Sequence, residues 1–299
     1  MSTPARIGGF AAPEANRILD TACRRVGLDP EGAVVLRGHT NAVFRLTAEP
    51  VVAKIARLGT RSTDVQRTVQ LVRWLTSLDF PTVTLLPVEQ PVVVDGHAVT
   101  FWSYLPQPDH PVTAQQLAGP LRTLHQLPRP PFEIRPLDTV GAIRRSITAI
   151  TELPPEQLQY LSARLDHLEK ELIDLQFPLP PALLQGDPQH RNALHHGERA
   201  VLCDWDTTAF GSPEIDLVTI EIHCRRFGYG PAHYAAFADA YGFDVAGWDG
   251  YTVLRDLREL RMITTNAKRA PAGSNTLAEV SRRIEGLHRG DHEQRWHIL

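Results

Sequence analysis

Asp187, Asn192 and Asp204 have the types and the spacing for chemistry on a phosphate. An Asp is followed by an Asn five residues later and by a second Asp twelve beyond that, in Gln185-Gly-Asp-Pro-Gln-His-Arg-Asn192 and Cys203-Asp-Trp-Asp206. Transfer of a phosphoryl group to a hydroxyl uses such a set. One carboxylate accepts the hydroxyl proton, while an amide oxygen and another carboxylate hold Mg²⁺ against the phosphates. Three short apolar runs, Leu183-Leu184, Ala193-Leu194 and Val201-Leu202-Cys203, lead into or out of these residues. Strands of that length present polar side chains at their ends, and His196-Gly197-Glu198 supplies a turn between two of them.

The whole pattern resembles the aminoglycoside phosphotransferase and choline kinase-like family, which shares the two-lobed protein kinase fold. The resemblance rests on Asp-x₄-Asn, on Asp-Trp-Asp after an apolar strand, and on Gly211-Ser-Pro-Glu-Ile-Asp-Leu217 downstream. It implies Asp187 as catalytic base and Asn192 and Asp204 as metal ligands. It also implies Asp216 as a structural acid that steadies the loop bearing the metal ligand. Upstream, Lys54 in Val51-Val-Ala-Lys-Ile-Ala56 stands where the family carries its phosphate-binding lysine. The turn Arg37-Gly-His-Thr-Asn41 would cover the nucleotide phosphates with backbone N–H groups and small polar side chains, Asn41 among them. It has one glycine where three would be usual.

Two positions depart from the family pattern. Gln185 replaces the usual His before Gly-Asp, and its amide is expected to brace the loop by bonding backbone. Thr68 stands where a helix glutamate should pair with Lys54, and Asp64, one turn earlier, is the nearest acid that could replace it. Asp206 either adds to the charge around the metal or touches substrate.

The elements that must position these residues show in the hydrophobic periodicity. Residues 13–27 read as an amphipathic helix ended by Gly27, and Val34 to Ala56 as strands. A helix capped by Ser62 or Thr63 runs to about Leu78. Thr82 to Val88 and Pro91 to Leu105 read as further strands, with a tight hairpin at Asp95-Gly96. Trp102 to Pro106 would then be the hinge to the second lobe. Thr113 and Gln116 form a capping box for a helix that ends near His125 (a structural histidine by its setting) and that Pro120 should bend or shift. A leucine stripe from Leu158 to Leu175 marks a core helix after Pro154-Pro155. Ser212-Pro213-Glu214 opens another, and helices follow at about 231–241, 248–268 and 275–288.

The bulk numbers agree with a soluble two-lobed enzyme. The chain has 299 residues, 42% hydrophobic and 22% charged, with a formal net charge of -3. Nothing in that balance argues for nucleic acid or an anionic membrane surface as partner. Three cysteines in no spaced pair argue against a disulfide framework, and no histidine spacing resembles a zinc site. A cytoplasmic setting is expected, since no signal core or spanning run appears.

The fold class expected is therefore α+β, a protein kinase-like fold with a small β-rich lobe over 1–105 and a larger, mainly helical lobe over 106–299. The expected activity is transfer of the γ-phosphate of ATP or GTP, with Mg²⁺, to a hydroxyl of an antibiotic or small metabolite. The alternative is a nucleotide-binding protein without turnover. Residues 206–299, where such folds build the acceptor pocket, hold thirteen Asp and Glu against eleven Lys and Arg. That is no trap for a polycation. Arg225, Arg226, Arg255, Arg258, Arg261, Lys268 and Arg269 would suit a neutral or anionic hydroxyl compound.

Overall fold

A computed structural model describes residues 6–7, 9–38 and 40–299. The chain forms two compact units, one comprising Met1–Pro111 with Ala193–Asp206, the other Val112–Asn192 with Thr207–Leu299. The first unit begins with β1 (Arg6–Ile7), β2 (Phe10–Ala11), α1 (Ala12–Arg25), β3 (Val34–Arg37), β4 (Ala42–Arg45) and β5 (Val51–Ile55). It continues with α2 (Ser62–Ser77), β6 (Val92–Val94) and β7 (His97–Ser103). The second unit takes over with α3 (Ala114–Gln126), α4 (Thr139–Thr148), α5 (Pro155–Ile173) and β8 (Ala182–Leu184). The chain returns to the first unit for the hairpin β9 (Ala193–His196) and β10 (Arg199–Leu202). It then completes the second with β11 (Ala209–Gly211), α6 (Glu214–Arg226), α7 (Pro231–Tyr241), α8 (Tyr251–Ala267) and α9 (Asn275–His288).

A five-stranded antiparallel sheet, in the order β3-β4-β5-β7-β6, frames the first unit. Strands β4, β5 and β6 alternate in burial as those of a one-sided sheet should, while β7 is buried along its middle. On β5, Val51, Ala53 and Ile55 are buried in the core with Phe44, Phe101 and the apolar face of α1 (Ile18, Leu19, Ala22). Lys54 is the odd residue in that alternation, so it faces away from α1, in register with Val43 and Thr100. One pleat thus sends the lysine to the opposite face. The β9–β10 hairpin belongs here because segment 81–83 holds it. Leu202 donates its N–H to the Pro81 carbonyl at 2.9 Å, and Trp205 Nε1 donates to Thr82 Oγ1 at 2.9 Å. By sequence pattern that hairpin sits inside the 106–299 lobe; by contact it is part of the first unit.

The second unit is helical around a leucine-rich core. Leu117, Leu121 and Leu124 of α3, Leu161, Leu165 and Leu168 of α5, and Leu260 and Ile263 of α8 are fully buried. The leucine stripe is a core helix at its centre, with Leu158 and Leu172 half-buried and Leu175 beyond the helix end at Ile173. Short β8 pairs antiparallel with β11, Leu184 opposite Ala209, and the candidate catalytic loop starts where β8 ends.

Several local expectations are corrected. Residues 82–88 make only isolated bridges, Thr82 to Leu202 of the hairpin and Leu85 to Trp102 of β7, because the segment divides its hydrogen bonds between these two partners. Neither Ser62 nor Thr63 caps α2, whose N-cap is Arg61, and Pro213 rather than Ser212 is the N-cap of α6. Pro120 does not shift the start of α3, which keeps its Thr113–Gln116 capping box and runs through the proline. Helix α4 is an element the pattern does not announce. No helix among the described residues is long and apolar enough to cross a membrane.

Candidate active site

Each unit presents one half of the candidate residues. In the first unit, Lys54 Nζ lies 3.0 Å from Asp204 Oδ1 and 2.8 Å from Asp206 Oδ2. Burial of the ammonium on the sheet face pushes its pKa down, but the two carboxylates outweigh that and hold it above the ordinary lysine value. Burial would raise Asp206; Lys54 and the hydrogen bond from Asn41 hold it below the usual carboxylate range instead. Asn41 donates Nδ2 to Asp206 Oδ2 at 3.3 Å and accepts the Arg57 N–H on Oδ1 at 3.0 Å. Its side chain ties the turn to this acid pair. His39 of the same turn lies outside the described residues.

Asp204 sits in the left-handed backbone region, at φ 59°. Few residues other than Gly adopt it, Asp and Asn most readily, and such backbone clusters where function demands it. The helix acid expected for Lys54 is not found on α2. Asp64 pairs with Arg61 and Arg67, and Thr68 Oγ1 donates to the Asp64 carbonyl. Lys54 is oriented by Asp206, a role the sequence reading left open.

In the second unit a buried acid organises the loop. Asp216 on α6 accepts the N–H groups of Gln185 at 2.8 Å and Gly186 at 2.9 Å, and its Oδ2 lies 3.2 Å from His125 Nε2. His125 is thus structural, as its setting suggests, and is held in turn by the Tyr241 hydroxyl at 2.8 Å. Gln185, fully buried, accepts the Asp187 N–H on Oε1 at 2.7 Å. The amide braces the loop as expected of it. Gly186 adopts φ +84°, and a Cβ there would sit 2.3 Å from the Thr207 carbonyl oxygen, so only glycine is accommodated.

Asp187 emerges from this brace with both oxygens engaged. Oδ2 accepts from Gln189 Nε2 at 2.9 Å and Asn192 Nδ2 at 3.2 Å, and Oδ1 pairs with Arg258 of α8. Asn192 Nδ2 also donates to the Asp187 carbonyl at 2.9 Å. Arg258 is the residue that motif reading could not single out. Behind the loop, His190 stacks on Tyr229 with ring centroids 3.9 Å apart, and burial lowers its pKa to about 4. A ring so held is neutral near pH 7.

Among the described residues no group of three or more His, Cys, Asp or Glu could hold a metal by itself. Asp204 in the first unit and Asn192 in the second each carry a hard oxygen, the donor type that Mg²⁺ and Ca²⁺ take. The cysteines take no part. Burial raises the thiols of Cys23, Cys203 and Cys224 to about 12, and none forms a disulfide.

A model of the phosphotransferase enzyme family (APH) matches residues 31–257. The chain belongs to this family. It is accordingly a phosphotransferase of the kinase type, with an alcohol group as acceptor. No curated protein matches the sequence. Among solved structures, the amicoumacin kinase hAmiN in complex with AMP-PNP, Ca²⁺ and Ami is 15% identical over 95% of this chain and 97% of its own, with a TM-score of 0.74. A microcompartment-associated aminopropanol kinase is 16% identical over 93% and 99%, at 0.73. The choline kinase LicA from Streptococcus pneumoniae is 16% identical over 92% and 99%, at 0.68. At such identity these likenesses establish the fold, an α+β two-lobed protein kinase-like one, and no more.

Proposed function

We propose that this phosphotransferase moves the γ-phosphate of ATP or GTP onto a hydroxyl of a small molecule, an antibiotic or a metabolite. The observation that carries the reading is the pairing of the strand lysine Lys54 with Asp204, two residues 150 positions apart brought to 3.0 Å. A lysine committed to a carboxylate in this way is fixed to meet phosphate and metal charge together.

In this scheme Asp187 orients the acceptor hydroxyl and takes its proton, a contribution typically worth about 10²–10⁴-fold in rate. Gln189 and Arg258 keep its carboxylate in place, and Asp216 and Gln185 fix the backbone that carries it. Lys54 neutralises charge on the α- and β-phosphates, and Asp206 keeps the ammonium aimed. The Asn41 turn supports the same end of the nucleotide. Asn192 and Asp204 would hold the divalent cation, Mg²⁺ in the cell, which supplies charge neutralisation on the phosphates. Most of the rate enhancement then comes from positioning and electrostatics.

The test is nucleotide-dependent thermal stabilisation with ATP and with GTP, with and without Mg²⁺, on wild type and Asp204→Ala. A rise in Tm that needs both Mg²⁺ and Asp204 is the expected result. Asp187→Ala should keep that rise while losing transfer to every hydroxylated acceptor tried. No stabilisation by either nucleotide would sink the reading. Stabilisation without turnover, equal in wild type and Asp187→Ala, would mark a nucleotide-binding protein instead.

A further inference from the structure

The near balance of charge in residues 206–299 hides a segregation. Both acids of α8 are spent on other arginines. Asp256 pairs with Arg164 and Arg255, and Glu259 with Arg225 and Arg226. On the flanking helices Glu221 is taken by Arg225, and Glu279 by Arg282 and Arg283. Two α8 arginines remain, one helical turn apart on the same face: Arg258 and Arg261.

Arg258 reaches Asp187, yet its buried Nε has no hydrogen-bond partner among the described residues. Arg261 is only partly exposed, and its guanidinium has neither an ion pair nor a hydrogen bond there. Burial lowers its pKa, and Arg258, Arg145 and Arg269 lower it further, with only Asp138 acting in the other direction. Asp138 is itself engaged by Arg145. Positive charge is concentrated beside the candidate base with donors to spare.

That arrangement is costly to keep for packing and well made for an anion. A guanidinium offers planar, paired donors that match a carboxylate or phosphate. A cationic acceptor would meet the opposite, since Arg258 already neutralises the Asp187 carboxylate. We propose that Arg258 and Arg261 form an anion-binding subsite beside Asp187, so that the acceptor is a hydroxyl compound bearing a carboxylate or phosphate a few bonds from the reacting hydroxyl. The inference rests on Asp187 being the base of the proposed reaction.

The experiment is thermal stabilisation at fixed ionic strength, without nucleotide, by D-glycerate, glycerol 3-phosphate, glycerol and ethanolamine. Wild type, Arg261→Gln and Arg289→Gln, an exposed control, are compared. The anionic probes should stabilise wild type and the control beyond glycerol, with a midpoint about tenfold higher in Arg261→Gln. Which anion gives the lower midpoint separates a carboxylate from a phosphate. Equal midpoints in wild type and Arg261→Gln, no anion effect, or stabilisation by ethanolamine alone would overturn the subsite. Failure here with the Mg²⁺-nucleotide response intact removes only the subsite. Loss of the nucleotide response with anion binding intact removes the kinase reading instead.

Discussion

A buried imidazole close to the candidate base gives the residue scale its sharpest consequence. His223 of α6 is 8% exposed and stacked on Phe227, and burial lowers its pKa to about 3, with Arg258, His190 and Arg191 disfavouring its cation further. The unfolded chain binds that proton near pH 6.5, and the folded chain does not. Unfolding therefore takes up a proton between those values. Stability is flat in this group above about pH 6.5 and falls as the pH drops toward 3. At pH 5 the loss is about 2 kcal/mol, at 1.36 kcal/mol per unit of pKa difference. Urea denaturation of wild type and His223→Gln at pH 7.5 and pH 5 measures it. Wild type should lose about 2 kcal/mol more than the variant over that interval. Parallel losses would show that His223 is not held neutral.

At the scale of elements, what could be read in advance follows how far apart in sequence the interacting groups lie. The Thr113 capping box, the Asp95-Gly96 hairpin and the leucine stripe of α5 are local patterns, set by neighbours three or four residues away, and each forms as read. The Asp187–Asn192 pair is local too. The partners that fix chemistry are not. Lys54 meets Asp206 across 152 residues, and Arg258 meets Asp187 across 71. No periodicity announces either, so Asp64 could stand as the nearest acid to Lys54 until the sheet showed otherwise. Segment 82–88 is the converse case: its apolar alternation suits a strand, but its bonds are divided between the hairpin, at residues 82–83, and β7, at residues 84–86.

Gly186 shows how tightly one element boundary holds the candidate catalytic loop. Its N–H is held by Asp216 and its Cα lies against the Thr207 carbonyl, at the step from β8 into the loop. Gly186→Ala must pay about 1–2 kcal/mol for the left-handed backbone alone, and the close carbonyl forces a further shift. The variant should melt lower and lose most of its transfer rate, because Asp187 is the next residue and moves with it. An alanine variant with unchanged Tm and rate would refute the tight approach.

On the scale of the whole molecule, each unit carries its own core, and the second is closed by the end of the chain. Residues 291–297 run over the arginines of α6 and α9. Arg226, fully buried with Glu259, donates to the carbonyls of Asp291 and Gln294 at 2.9 Å each, and Arg282 donates to that of Arg295 at 2.7 Å. Arg225 and Arg283 bond the carbonyls of His292 and His297. Trp296, 3% exposed, packs against the guanidinium groups of Arg226 and Arg283, 4.7 and 4.6 Å from its ring centroid. The segment therefore satisfies donors that would otherwise be buried without partners, and its one large side chain covers two charges. Trp296→Ala should cost about 3–5 kcal/mol, the usual range for emptying a buried aromatic site. The loss should be seen in urea denaturation, while the Mg²⁺-dependent nucleotide response of the folded protein is retained, since Lys54 and Asp204 belong to the other unit. A cost below about 1 kcal/mol, within the range of ordinary surface substitutions, would mean that the segment lies on the helices without holding them.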